Sequence, residues 1–109
     1  MVATAKDVRR PPGPNARKIK ACDDRLRRRI LRLLHLSSPL SPEEVARVLE
    51  EPIGRVGYQM KLHEALGTVE LVREQQVRSA VEHFYASLVA EDELVLRMLD
   101  ETREEDEAI

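Results

Sequence analysis

Apolar positions along the chain fall into helical spacing four times and into alternation once. Leu26, Ile30, Leu33 and Leu34 recur at i, i+4, i+7 and i+8 and predict a helix from about Asp24 to Leu36, with Asp24 as its N-cap. Ser37, Ser38 and Pro39 break it, and Leu40 suits a very short strand. Val45, Val48 and Leu49 then share a face of a second helix opened by Ser41-Pro42-Glu43-Glu44, a Ser-x-x-Glu capping box with proline in the first turn. Pro52 ends that helix, because proline lacks a backbone donor and restricts the residue before it. A third pattern runs from Ile53, placing Val56, Met60 and His63 together, and Gly67 suits the left-handed position that closes it.

After Gly67 the period changes. Thr68 to Val72 is strand-like, Arg73 to Ser79 reads as a polar turn, and Ala80 to Tyr85 alternates as the returning strand. From Ala90 the helical period returns with Leu94, Val95, Met98 and Leu99, ahead of an acidic end, residues 104–109, expected to fray. Residues 1–22 show no periodicity and contain Pro-Pro-Gly-Pro. The pattern therefore predicts a mainly α chain with a small β-hairpin (α+β): a flexible basic N-terminal arm over 1–22, a winged helix-turn-helix over 23–88, and an acidic C-terminal helix and tail over 89–109. The plainer reading is an αα-hairpin that touches no nucleic acid.

Charge sharpens this picture. The net charge is only −2, but residues 1–36 hold eleven Lys/Arg against three Asp, and residues 91–109 hold nine acids against two Arg. A basic end suits a phosphate backbone and an acidic end repels one, unless the two ends simply pair with each other or with solvent. In the arm, Arg9, Arg10, Arg17, Lys18 and Lys20 are placed to reach DNA beside the folded part. No apolar run approaches membrane-spanning length, the N-terminus has no apolar signal region, and Cys22 is alone. A cytoplasmic protein with no membrane partner is the expectation.

Candidate chemistry concentrates on the helix Ile53–Leu66. Arg55, Tyr58, Gln59 and Lys61 are its expected outward residues; Arg reads guanine and Gln reads adenine through paired hydrogen bonds in the major groove. The same residues are ordinary on a solvated face. Glu64 would be repelled by DNA, and Gly54 and Gly57 each weaken the helix by about 1 kcal/mol. Arg73 and Arg78 sit near the expected hairpin tip, where they would meet phosphates. The stripe Leu94, Val95, Met98, Leu99, together with Leu26, needs a cover: the chain's own domain or the same elements of a second copy. His63, on an apolar face, would cost free energy to charge and so confer acid sensitivity. No paired cysteines, no histidine in the last helix, no nucleophile–base motif and no phosphate loop are present, so neither a metal, a cofactor nor an enzymatic activity is expected.

Taken together, Arg27-Arg28-Arg29-Ile30-Leu31, Leu40-Ser41-Pro42-Glu43-Glu44-Val45-Ala46, Gly54-Arg55-Val56-Gly57-Tyr58, Leu66-Gly67 followed by Val69-Glu70-Leu71-Val72, and Ala80-Val81-Glu82-His83-Phe84-Tyr85 resemble the ArsR-type winged-helix regulators. The resemblance covers about residues 23–88 and is closest to the subgroup whose wing ends in Ala-Val-Glu-His-Phe-Tyr. It implies a homodimeric, sequence-specific duplex DNA-binding transcriptional regulator, with Ile53–Leu66 as recognition helix and the first and last helices as dimer interface. Metal sensors of this type often carry a Cys-x-Cys pair or a His/acid cluster that this chain lacks. Four positions depart from the family: Gly57 stands where Ser is common, Gln59 where His is common, His63 where Leu is usual, and Thr68 where an apolar residue is usual. The first pair bears on base preference and the second on core packing or on a partner at that surface. The rival reading is a protein-interaction module on the same scaffold, binding another regulator or the transcription machinery through Glu91–Glu105.

Overall fold

The computed structural model describes residues 13–108. Among them the chain forms six helices and one two-stranded antiparallel sheet. The helices are α1 (Pro14–Ala21), α2 (Arg25–Leu36), α3 (Pro42–Leu49), α4 (Ile53–Leu66), α5 (Glu93–Glu101) and α6 (Arg103–Glu107). The strands β1 (Val69–Val77) and β2 (Ala80–Ser87) lie between α4 and α5. None of the helices is long and apolar enough to cross a membrane.

The local signals act where the sequence places them. Asp24 accepts a hydrogen bond from Arg27 N at 3.1 Å and starts α2. At α3 the capping box is complete: Ser41 Oγ accepts from Glu44 N at 3.2 Å, and Ser41 N donates to Glu44 Oε1 at 3.0 Å. Such a cap contributes about 1 kcal/mol and fixes where the helix begins. Glu50 ends α3 in the left-handed conformation with φ 56°, and Pro52 then supplies the carbonyl to which Arg55 N and Val56 N donate at 3.1 Å. Gly67, at φ 78°, closes α4. Leu40 pairs with Tyr85 through two backbone bonds of 3.0 and 2.9 Å, tying the α2–α3 link to the sheet.

Helix α2 is the centre of the core. Ile30, Leu31 and Leu34 are buried on it, Val45 and Ala46 come from α3, Val56 and Met60 from α4, Val69 and Tyr85 from the hairpin, and Val95 and Leu99 from α5. Leu31 lies outside the stripe read from the sequence. Its burial follows from α2 being covered by α3, α4, β2 and α6 rather than along one seam. Leu26 and Leu33 are only partly buried, and Val48, expected to face inward, is exposed.

Three expectations are corrected. Of the arm, residues 1–12, with Arg9 and Arg10, lie outside the described residues, but 14–21 are helical. Proline at the first turn and Lys18 and Lys20 in the last turn suit the helix ends. Ala21 and Cys22 are buried, and Lys18 Nζ meets Asp92 Oδ2 at 2.6 Å, which docks α1 on the start of α5. The hairpin is longer than expected, with β1 running to Val77 and a turn of only Arg78 and Ser79. Its polar stretch Glu74–Gln76 looked like a turn because both faces of this part of β1 are in water, so the strand needs no apolar alternation. The C-terminal end does not fray within the described residues. A break at Thr102 separates α5 from α6, and Asp106 is fully buried.

Candidate nucleic-acid interface

The inner side of α4 fixes its outer side. Val56, Met60 and His63 are buried at 0–1% exposure, one helical turn apart, and leave Gly54, Tyr58, Lys61 and Ala65 facing outward. Tyr58 is 68% exposed and Lys61 is exposed, as expected. Arg55 lies toward one flank, with 66% of its side chain exposed and its Nη1 3.7 Å from Glu51 Oε1. Glu51 also meets Arg29 Nη1 at 3.2 Å. Exposed pairs of this kind contribute under about 1 kcal/mol, so Arg55 can leave Glu51 for a stronger partner.

Gln59 differs from the expectation. It lies on the flank of α4 nearest α2, is half-buried, and its Oε1 is buried without a hydrogen-bond partner. With Arg29 and Arg55 it lines a hollow of about 480 Å³ between α2 and α4. From that position Gln59 is not on the outward row with Tyr58 and Lys61.

The two hairpin arginines are not together. Arg78 stands at the turn with φ 56°, where its carbonyl accepts from Gln76 Nε2 at 3.1 Å. Arg73 sits within β1, just past the irregularity after Leu71, with its guanidinium 4.2 Å from the centre of the Phe84 ring opposite. Four strand residues separate the two, so the five steps between them span roughly 17 Å along the hairpin. Only Arg78 is at the tip.

The basic residues of α2 face a different partner from the one their number suggests. Arg25, Arg28 and Arg32 form one stripe, and it is occupied by the C-terminal segment. Arg28 Nε and Nη2 each donate to Asp106 at 2.8 Å, and Arg32 Nη2 lies 3.0 Å from Asp106 Oδ2. Arg25 donates to the carbonyls of Asp106 and Ala108 at 2.8 and 2.7 Å, and Arg32 to that of Leu99 at 2.6 Å. Burial works to raise the Asp106 pKa, but the hydrogen bonds from Arg28 and Arg32 outweigh it and hold the carboxyl below its ordinary value. The pairing of basic and acidic ends is thus realised at α2 and α6. Sequence reasoning missed Asp106 because it is one acid in a run of acids, with nothing local to mark it for burial.

His63 and Thr68, the two departures at core positions, meet each other. His63 Nε2 donates to the Arg27 carbonyl at 2.9 Å, which leaves Nδ1 of the neutral ring as acceptor for the Thr68 hydroxyl at 2.8 Å. Burial pushes the imidazole down to about 4, against the smaller opposing effect of its bond to Arg27. His83 is paired across the hairpin with Glu74 at 3.8 Å, and His35 lies half-buried on α2 with burial lowering its pKa. The three imidazoles sit in separate settings.

Of the residues expected to meet a second copy, Val95 and Leu99 are covered by their own chain, at 0% and 3% exposure. Leu26, Leu94 and Met98 are partly buried, the first and last against that same core. Val95 and Leu99 serve the fold of the single chain, because both are part of its one buried core.

Comparison of the chain with family models and with curated proteins gave no match.

Proposed function

We propose that the chain is a winged helix-turn-helix regulator of the ArsR type that binds duplex DNA as a homodimer, with α4 as the recognition helix. One observation carries the reading: a 14-residue helix fixed by its inner side presents Tyr58 and Lys61 outward, flanked by Arg55, and none of these three is buried by the rest of the chain. A helix of this length fits the major groove, and Lys and Arg are the residue types that meet phosphates and guanine edges. The hairpin supplies Arg78 at its tip as a wing phosphate contact. Gln59 is assigned to the α2–α4 hollow, and Arg73 to the hairpin itself. Regulation in the cytoplasm follows from the same reading.

Replacing Arg55 or Lys61 by Ala is expected to weaken operator binding without lowering stability, since both lie on the surface. Arg55→Ala should also relax preference at one base position by about 1–3 kcal/mol. Binding-site selection with each variant reads this out, and an unchanged base preference in Arg55→Ala removes it from the reading role.

A second reading has its own support. Arg25, Arg28 and Arg32 are taken up by the C-terminal segment, so part of the positive charge that favours DNA is spent within the chain. A protein-interaction module, binding another regulator through the α5–α6 region, fits that economy. Retention of a protein partner by the intact chain but not by one ending at Val89, with no duplex binding by either, is its signature.

A further inference from the structure

Asp106 occupies a site built for an anion. Its two carboxylate oxygens take the Nε and Nη2 donors of Arg28 at 2.8 Å each. The third nitrogen of Arg28, Nη1, donates to the Cys22 carbonyl at 3.0 Å, so the chain itself aims the fork. A planar fork of this kind meets two oxygens of a phosphate as well as those of a carboxylate. One turn away, Arg25 gives Nε and Nη2 to the carbonyls of Asp106 and Ala108. Arg32 also reaches Asp106, but it holds the Leu99 carbonyl and Thr102 and stays with α5. The segment that supplies the anion is weakly built. Helix α6 has no apolar side chain, and Glu104, Glu105 and Glu107 are exposed around the clasp.

We infer that Arg25 and Arg28 form a phosphate-binding surface for the duplex that α4 engages, and that α6 is an acidic strap closing it. Two features select a duplex. Arg25 belongs to two places, the clasp and the α2–α4 hollow, which it borders together with Arg29 and Arg55. Positive charge thus runs from the clasp to the flank of α4, where these three guanidiniums outnumber the carboxylates of Asp24 and Glu51. A duplex carries phosphates along its whole length and answers both ends of such a row at once. The strap also has the sign that opposes a duplex. It carries four acids against Arg103, and its Glu107 borders a second hollow beside Arg29. While docked, it neutralises the row and repels a polyanion from it.

The inference rests on the DNA reading and adds an open form to it, in which α2 joins α4 on the duplex. The test is retention of a fixed duplex of unselected sequence at several salt concentrations. It compares the full chain, Asp106→Ala, and Asp106→Ala combined with Arg25→Ala and Arg28→Ala. Asp106→Asn, which keeps the shape of the side chain without its charge, is measured beside Asp106→Ala. Helical circular dichroism scores the fold of each. Either Asp106 variant is expected to bind at least about tenfold more tightly at low salt, with a salt slope steeper by about two for each bound copy. Both gains vanish in the triple variant. No gain in either Asp106 variant, or a gain that survives loss of both arginines, overturns the inference. Capture of polyglutamate without any gain for duplex overturns it too, and gives the row to an acidic peptide. The DNA reading is scored apart, by site selection with the wild-type chain. A gain on opening without a selected site keeps the strap and removes α4 as a reader; a selected site without a gain does the reverse.

Discussion

His63 shows how a single residue sets a property of the whole fold. In the unfolded chain its imidazole titrates near 6.5, whereas in the folded core burial pushes it down to about 4. Between those values the unfolded chain binds a proton that the folded chain refuses, so stability falls as pH drops through that window. From pH 7 to pH 5 the loss is about 2 kcal/mol. His63→Leu is expected to remove the His63 share of that slope and leave only what His35, also lowered by burial, contributes, since Thr68 Oγ1 can turn to the carbonyl of residue 63, 3.0 Å away. Urea unfolding at the two pH values checks this; a slope unchanged in His63→Leu would show that another group titrates. The histidine itself was legible, because its spacing with Val56 and Met60 marks an inner face. Its partner was not, because Thr68 follows a glycine turn and only the turn's geometry brings the hydroxyl back to the ring. Residue-scale reading also misplaced Gln59 by one flank of the helix, a shift that periodicity without a neighbouring α2 does not reveal.

At the scale of elements, α6 is held by polar contacts from the arginines of α2. Its sequence Arg103-Glu104-Glu105-Asp106-Glu107 has no apolar residue, and its single buried side chain is the carboxylate clasped by Arg28 and Arg32. Removing one member of such a buried pair usually costs about 3–5 kcal/mol. Here the loss is limited to what holds α6 in place, so Asp106→Ala is expected to release residues 103–108 while α2–α5 stay folded. Hydrogen exchange should then lose protection in α6 only; protection retained there would mean that the backbone contacts of Arg25 suffice. Asp106 has a depressed pKa, so its contribution is present above the ordinary aspartate value and is lost as pH falls through the lower folded one. The clasp therefore opens at more acidic pH than that at which His63 begins to weaken the fold. The hairpin gives a second contrast. Arg78→Ala is expected to reduce the salt slope of duplex binding by the dimer by about two, one contact from each copy, whereas Arg73→Ala loses only its contact with Phe84, about 0.5–1 kcal/mol of stability. Equal effects of both on the salt slope would return Arg73 to the tip role. Capping boxes and turn residues made α2, α3 and α4 readable from the sequence. The solvent-exposed strand, the docked α1 and the clasped α6 were not, because long-range contacts rather than local period stabilise them.

For the whole molecule, the uneven distribution of charge along the chain is not the distribution on its surface. Basic α1 and α2 and the acidic C-terminal end are neighbours, joined by Lys18–Asp92 and by the Asp106 cluster. Among the described residues, the DNA reading assigns a small set per copy, Arg55, Lys61 and Arg78, which in a dimer makes about six phosphate or base contacts and a salt slope of about −5. The central claim is that this limited surface reads sequence, and selection of the full chain on a randomised duplex library at several salt concentrations tests it most directly. The account predicts enrichment of a near-palindrome with half-sites about one helical turn apart, roughly 34 Å. Failure to retain any duplex at low salt, or steeply salt-dependent retention without an enriched site, would contradict it.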